Sequence, residues 1–132
     1  SMTYTWAVEL ARYGIRVNAI SPSGTTRMSA SAKIGGKVVD LPFLDPARNG
    51  AFVAFLCSDD ADYVTGQIFG TGGERVTILE QPRYGTSMLK PGGWEVEDLQ
   101  EHFKNHLGKQ LEPVGLMKTP YPFYDGVKPP GA

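Results

Sequence analysis

Five consecutive residues, Pro22, Ser23, Gly24, Thr25 and Thr26, combine short side chains, hydroxyls and backbone amides that nothing bulky shields. They follow an alternating apolar run over 16–20 and form a loop able to approach a polar ligand closely. Other chemistry-bearing residues are weaker candidates. His102 and His106 stand at i and i+4, a spacing that can chelate zinc, yet Phe103, Lys104 and Asn105 between them include no general base, and no third ligand is signalled. They read as surface histidines of an amphipathic helix. Asp59, Asp60 and Asp62 lack the regular oxygen spacing of a calcium loop and its closing Glu, so they read as a solvated helix terminus. Gly70, Gly72 and Gly73 precede a strand pattern rather than a helix, which argues against a phosphate loop and makes them turn glycines. Cys57, in an apolar helical stretch with no His nearby in sequence, reads as a core thiol. Lys33 and Lys37 read as solvated lysines on a polar connection rather than anchors for an acidic substrate. No metal site is expected.

A scaffold for the 22–26 loop is within reach of the composition. The 132 residues are 41% hydrophobic and 20% charged, which suits one modest globular domain. A net charge of −1 supplies no electrostatic reason to expect nucleic acid or an anionic membrane as partner. The single cysteine excludes an internal disulfide and every multi-cysteine zinc pattern and fits a reducing compartment, so a cytoplasmic location is expected. No run reaches the roughly 18 apolar residues of a membrane span, and the first residues lack a basic start followed by an apolar core.

Taken in order, Met2, Trp6, Leu10 and Tyr13 mark one stripe of a helix over 1–13, with Gly14 placed for a left-handed end. The helical pattern is present from the first residue, as expected of a chain that starts inside an element. A strand over 16–20 carries apolar groups on both faces and suits an interior parallel position. Residues 29–44 lack a clean period and contain Gly35-Gly36, the composition of a mobile connection. Asp45-Pro46 then caps a helix whose Ala51, Phe52, Val53, Phe55 and Leu56 predict burial on most of its circumference up to Cys57. Thr65-Gly66 leads into a strand over 67–69, and 75–79 reads as another. After a Pro- and Gly-rich loop over 81–93 comes a helix over 94–107 with Val96, Leu99, Phe103 and Leu107 on one stripe. The tail from Pro113 interleaves Pro with Tyr and Phe; it is expected to be extended and to cover a surface, either of its own domain or of a neighbouring subunit.

The wording LARYGIRVNAISP, then the loop, then DPARNGAFVAFLCSD, TGQ and a Gly-Gly pair, in that order over about 1–75, resembles the short-chain dehydrogenase/reductase family. Arg27-Met28-Ser29 resembles the branch containing the hydroxyacyl-CoA dehydrogenase part of peroxisomal multifunctional enzymes. The chain departs from the family pattern at Ser23, where Gly is general, and at Thr71, where Asp is common. The resemblance implies an α/β fold, with residues 1–79 the C-terminal portion of a doubly wound, Rossmann-like parallel-sheet domain and 80–132 a partly helical extension. It implies NAD or NADP as cofactor, an alcohol or carbonyl compound as substrate, Pro22, Ser23, Gly24, Thr25 and Thr26 on the nicotinamide side, and 29–44 as a substrate lid.

The family's glycine-rich nucleotide loop has no counterpart within this resemblance, and its Tyr-x-x-x-Lys pair would fall just over two helical turns before Ser1, at about 3.6 residues per turn. Tyr4 does not replace that Tyr, because its i+4 neighbour is Val8. No catalytic residue is therefore expected within the matched stretch. Two core strands cannot form a sheet covered on both faces. The N-terminal half of the same enzyme, or another subunit, is accordingly an expected partner, with homo-oligomerisation. The alternative is a noncatalytic assembly module derived from the same fold, in which the Trp6 stripe and the Phe52 and Phe55 face serve as contact surfaces.

Overall fold

The computed structural model describes residues 1–29, 33–34, 37–38, 42–113 and 123. Helix α1 (Met2–Leu10) tightens into a 3₁₀ turn at Ala11–Tyr13 and stops at Gly14, whose φ of 70° lets its N–H reach the Ala11 carbonyl at 2.9 Å. The predicted extent is met, and most of the predicted stripe is uncovered, as the assembly alternative requires. Met2, Trp6 and Tyr13 are exposed, and the buried residue is Ala7. Its methyl group lies against Gly66, where an added Cβ would stand 3.3 Å away. A small residue lets the helix approach that turn closely.

Strand β1 (Ala19–Pro22) begins three residues later than the predicted strand over 16–20. The displacement has a clear cause, because 16–18 is laced by side chains rather than by a backbone ladder. Arg16 donates through Nη1 to the Leu56 carbonyl at 2.8 Å and through Nη2 to the Ser58 carbonyl at 3.1 Å. Asn18 donates through Nδ2 to the Val64 carbonyl at 2.8 Å, and its Oδ1 accepts from the Gln67 amide at 3.1 Å. Regular pairing starts at Ala19, parallel to β4 (Ile68–Gly72), with Ala19 opposite Ile68 and Pro22 opposite Thr71. Pro22 is tolerated because the amides of Ala19 and Ser23 bond toward β4, so by strand alternation the missing N–H at position 22 faces away from it.

β4 runs further than the predicted 67–69 and takes Gly70 and Gly72 into the strand, so of the three glycines expected to form turns only Gly73 does. With φ of 56° it reverses the chain into β5 (Arg75–Ile78), which pairs antiparallel with β4. The sheet order is β1-β4-β5, a three-stranded mixed sheet. The parallel pairing agrees with the α/β expectation, whereas the central position falls to β4 rather than β1. A Cβ on Gly73 would also stand 3.0 Å from Leu44 Cδ2. Gly73→Ala is expected to destabilise by about 1–2 kcal/mol, the usual left-handed penalty for an L side chain, with more if Leu44 must move. Urea denaturation with an unchanged midpoint would contradict this.

Asp45 accepts from the Ala47 amide at 3.0 Å and caps a 3₁₀ turn at Pro46–Arg48, which continues into α2 (Asn49–Cys57). The cap is as predicted; the burial is not. No residue of α2 is fully buried, and Val53, Phe55 and Cys57 are exposed, so Cys57 is not a core thiol. One flank alone meets the sheet. Phe52 and Leu56, four residues apart, pack on a small core of Ala61, Val64 and Phe69, with the Phe52 and Phe69 rings edge to face at 5.0 Å. Phe69 and Thr71 face α2, and by strand alternation Gly70 and Gly72 face the other side.

Within 29–44, β2 (Lys33–Ile34) and β3 (Lys37–Val38) pair antiparallel, which adds a short ladder to what composition suggested was a plain connection. Gly35 and Gly36 lie outside the described residues. The 81–93 loop contains no helix or strand, as predicted. α3 (Val96–His102) is shorter than the predicted 94–107 and gives way to 3₁₀ turns at Phe103–Asn105 and Leu107–Gln110, broken at His106, where φ is −112° and ψ −95°. Asn105, His106 and Gly108 are all poor helix formers. A capping box between Glu95 and Asp98 starts α3, and Lys90 pairs with Asp98. The Lys90 hydrogen bond, followed by that of the Glu95 amide, holds the Asp98 carboxyl below the usual carboxylate range.

Candidate functional site

The 22–26 loop leaves the sheet at the carboxyl ends of the two parallel strands, and it is held from four directions. Ser23 N–H donates to the Thr71 carbonyl of β4 at 2.6 Å. Thr25 faces residues 42–44: its N–H donates to the Leu44 carbonyl at 2.7 Å, and its Oγ1 accepts from the Leu44 N–H at 2.8 Å. Thr26 N–H donates to Ser29 Oγ at 2.6 Å, Ser29 N–H donates to Thr26 Oγ1 at 3.2 Å, and Ser29 Oγ donates to the Thr26 carbonyl at 3.0 Å. From α2, Asn49 Nδ2 donates to the carbonyls of Ser23 and Pro46, both at 3.1 Å. Gly24 sits so close to Pro46 that an added Cβ would be 3.1 Å from its ring.

Sequence reasoning selected the loop but missed three residues that shape it. Asn49 ties the loop to the start of α2, and its position directly after the Asp45-Pro46 cap was a usable signal. Leu44 and Ser29 act through the backbone or through a short-range turn, neither of which sequence spacing marks. Removing the Thr25 hydroxyl as Thr25→Val leaves the Leu44 N–H without its acceptor while keeping the Thr25 N–H bond. The expected loss is about 1 kcal/mol of local stability, read as roughly fivefold faster amide exchange at Leu44 with little change at Ile78.

An open cavity of about 670 Å³ adjoins the loop, with Pro42, Leu44, Arg48, Gly72, Glu74 and Phe123 among its lining residues. It brings together residues 42–44, the end of β4 and a ring from the C-terminal tail. Behind the loop, Asn49 Oδ1 and Thr71 Oγ1 are buried and make no hydrogen bond among the described residues. Thr71 is 2% exposed, and it stands where the resembled family commonly has Asp.

The other candidates stay apart from this region. His102 and His106 have ring centroids 6.4 Å apart, and among the described residues no group of three or more His, Cys, Asp or Glu is close enough to hold a metal ion. Asp59 and Asp60 lie in an exposed 3₁₀ turn after α2, in keeping with a solvated terminus. Cys57 borders a separate cavity of about 460 Å³ with Arg16 and Asn18. The side chains of Lys33 and Lys37 lie outside the described residues. A Tyr-x-x-x-Lys spacing does occur at Tyr124 and Lys128, but it contains Gly126, precedes Pro129-Pro130 and also lies outside them. No helix among the described residues is long and apolar enough to cross a membrane.

Comparison with known proteins gives this arrangement a family. Residues 1–73, more than half of the chain, match the family described as enoyl-(acyl carrier protein) reductase. The 3-oxoacyl-[acyl-carrier-protein] reductase FabG of Thermotoga maritima is 39% identical over 80 residues, covering 54% of this chain and 32% of its own. Human (3R)-3-hydroxyacyl-CoA dehydrogenase is 40% identical over 81 residues, covering 54% of this chain and 31% of its own. The crystal structure of a short chain dehydrogenase from Mycobacterium avium superposes with a TM-score of 0.65 at 31% identity, covering 86% of this chain and 35% of that one. The chain thus spans about a third of the length of the curated relatives it matches. The match carries the loop, α2 and β4 in family order on a partial α/β, Rossmann-like fold, and the chain belongs to the short-chain dehydrogenase/reductase family.

Proposed function

We propose that the chain is the C-terminal portion of an NAD(P)-dependent oxidoreductase acting on an alcohol or carbonyl substrate. It contributes the nicotinamide-side loop, formed by Pro22, Ser23, Gly24, Thr25 and Thr26, and the substrate lid over 29–44. The glycine-rich nucleotide loop and the proton-transferring Tyr and Lys come from the N-terminal half of the enzyme or from another subunit.

The observation that carries this reading is the edge of Thr25. Its N–H donor and Oγ1 acceptor engage the C=O and N–H of Leu44, so the residue is matched to one donor and one acceptor presented together. A carboxamide offers the same pair, and the loop residues therefore fit the nicotinamide group once Leu44 is exchanged for it. When bound, nicotinamide supplies or receives the hydride. The chain's own part is orientation. Ser23 and Asn49 fix the height of the loop over β4 and α2, the Gly24–Pro46 contact fixes its approach, and residues 42–44 line one side of the open cavity.

The test is titration of the chain with NADH and with NADPH, followed through the amide signals of Thr25 and Leu44, and then an assay of carbonyl reduction with the upstream half supplied. Saturable shifts at these two amides, with turnover only when both pieces are present, are expected. Turnover by this chain alone, verified as the sole species by intact mass, overturns the division of labour. Absence of both shifts and turnover in the paired preparation overturns the function.

A second reading, a noncatalytic assembly module, draws on the exposed apolar faces: Trp6 is 47% exposed, and Val53 and Phe55 on α2 are 40% and 38% exposed. A folded homo-oligomer in gel filtration that ignores both nucleotides favours it.

A further inference from the structure

The C-terminal tail places one ring against the sheet. Phe123 is 7% exposed and lies over β4 on the face opposite α2. A Cβ added to Gly70 would stand 3.0 Å from Phe123 Cε2 and 3.1 Å from Cζ, and one added to Gly72 would stand 3.0 Å from Cδ1 and 3.2 Å from Cε1. One ring therefore bridges two glycines that sit two residues apart on the same face, in a seat that two side chains would fill. Thr77 of β5 closes one side, with Cγ2 2.9 Å from the Gly70 position. Ser23 of the candidate loop closes the other, its Cβ 3.0 Å from the Gly72 position. At Phe123, the described residue of the tail beyond 113, the chain thus covers a surface of its own, one of the two alternatives that the sequence leaves open.

The seat also borders the cavity beside the loop. Phe123 shares that cavity with Pro42, Phe43 and Leu44, so its apolar lining comes partly from the end of the proposed lid and partly from Phe123. We propose that Phe123 is a specificity-determining residue, an apolar wall that sets how large a group on the carbonyl substrate the cavity admits. The proposal rests on the oxidoreductase reading above. An aromatic ring over a glycine floor is a rigid boundary, with few rotamers and no polar atom, and removing it leaves room for bulk instead of a lost hydrogen bond. Its effect should therefore fall on the choice among substrates rather than on proton or hydride transfer.

The experiment has two readouts. In the first, 4-fluorophenylalanine is placed at position 123 of the full chain and followed by ¹⁹F NMR. A seated ring gives a signal displaced from that of an unfolded chain; Gly72→Ala or Gly70→Ala moves it toward the free position, and Gly85→Ala, whose Cβ would meet nothing within 4 Å, leaves it in place. In the second, the chain is paired with its upstream half, and kcat/KM is compared for a small and a bulky carbonyl substrate of the same class. Phe123→Ala is expected to raise the bulky-to-small ratio about tenfold, and Phe123→Trp to lower it. A fluorine signal at the free position in the unsubstituted chain overturns the seat and the proposal with it. A seated ring with an unchanged size preference in both variants overturns the specificity role and leaves the oxidoreductase reading standing. No turnover in the unsubstituted pair overturns that reading and the specificity role, while the fluorine signal still decides whether the tail is seated.

Discussion

Phe69→Ala is expected to cost about 3–5 kcal/mol, the range for truncating a buried phenylalanine. A typical domain has only about 5–15 kcal/mol in all. Phe69 is the largest member of the core cluster it forms with Ala61 and Val64, and the partly buried Phe52 and Leu56 of α2 pack against that cluster. Its truncation removes the ring that Phe52 meets edge to face and takes from α2 its principal contact with the sheet. In urea the transition midpoint should fall steeply or the baseline already slope at zero denaturant, with far-ultraviolet dichroism reporting loss of helix. Phe69→Leu, which refills most of the volume, should recover more than half of the loss. A Phe69→Ala protein with the parent's midpoint would show that α2 is held elsewhere.

The second large effect is expected at Asn18. Its amide group spans the turn before β4, donating to Val64 and accepting from Gln67, and Asn18→Leu leaves both backbone groups without their partners. At about 1–3 kcal/mol for each of the two groups left unsatisfied, the expected loss is about 2–6 kcal/mol. The loss should be local at first. Exchange of the Gln67 amide should quicken before that of Ile78 in β5, because the damage lies at the entry to β4 and not across the hairpin. Arg16→Met removes two bonds to α2's end instead, and its effect should appear at Leu56 and Ser58. Equal protection at Gln67 in Asn18→Leu and parent would contradict the clamp.

These two residues also show where sequence reasoning reached and where it stopped. Signals carried by neighbours in the chain were legible: Gly14 at the end of α1, the Asp45-Pro46 cap of α2 and the order of motifs that set the family. Features decided by distant contacts were not. The start of β1 differs because the Arg16 and Asn18 side chains reach residues forty or more positions away, and alternation of residue types holds no trace of that. Burial of α2 was overestimated because an apolar residue in sequence says nothing about whether a partner covers it. Gly70 and Gly72 were read as turn residues because the ring that explains their lack of side chains arrives from position 123. The loop is singled out as a candidate by its residue types together with the family resemblance of the flanking stretches, while its moorings at Leu44, Ser29 and Asn49 emerge only from the fold.

The mutual hydrogen bonds of Thr25 and Leu44 make Leu44 an internal competitor. Any ligand that uses the Thr25 edge must first win it from a group tethered at high effective concentration. If each of the two bonds contributes a net value of about 1 kcal/mol, the open population is roughly 3%, and apparent affinity is some thirtyfold weaker than the intrinsic value. That toll is the same for every ligand, but only one that replaces both bonds recovers it. A compound offering an acceptor without a donor, such as a carboxylate in place of a carboxamide, recovers half at best. Because the toll lowers every affinity by the same factor, a preference for an amide over a carboxylate would come only from the second bond that the amide makes at the Thr25 edge.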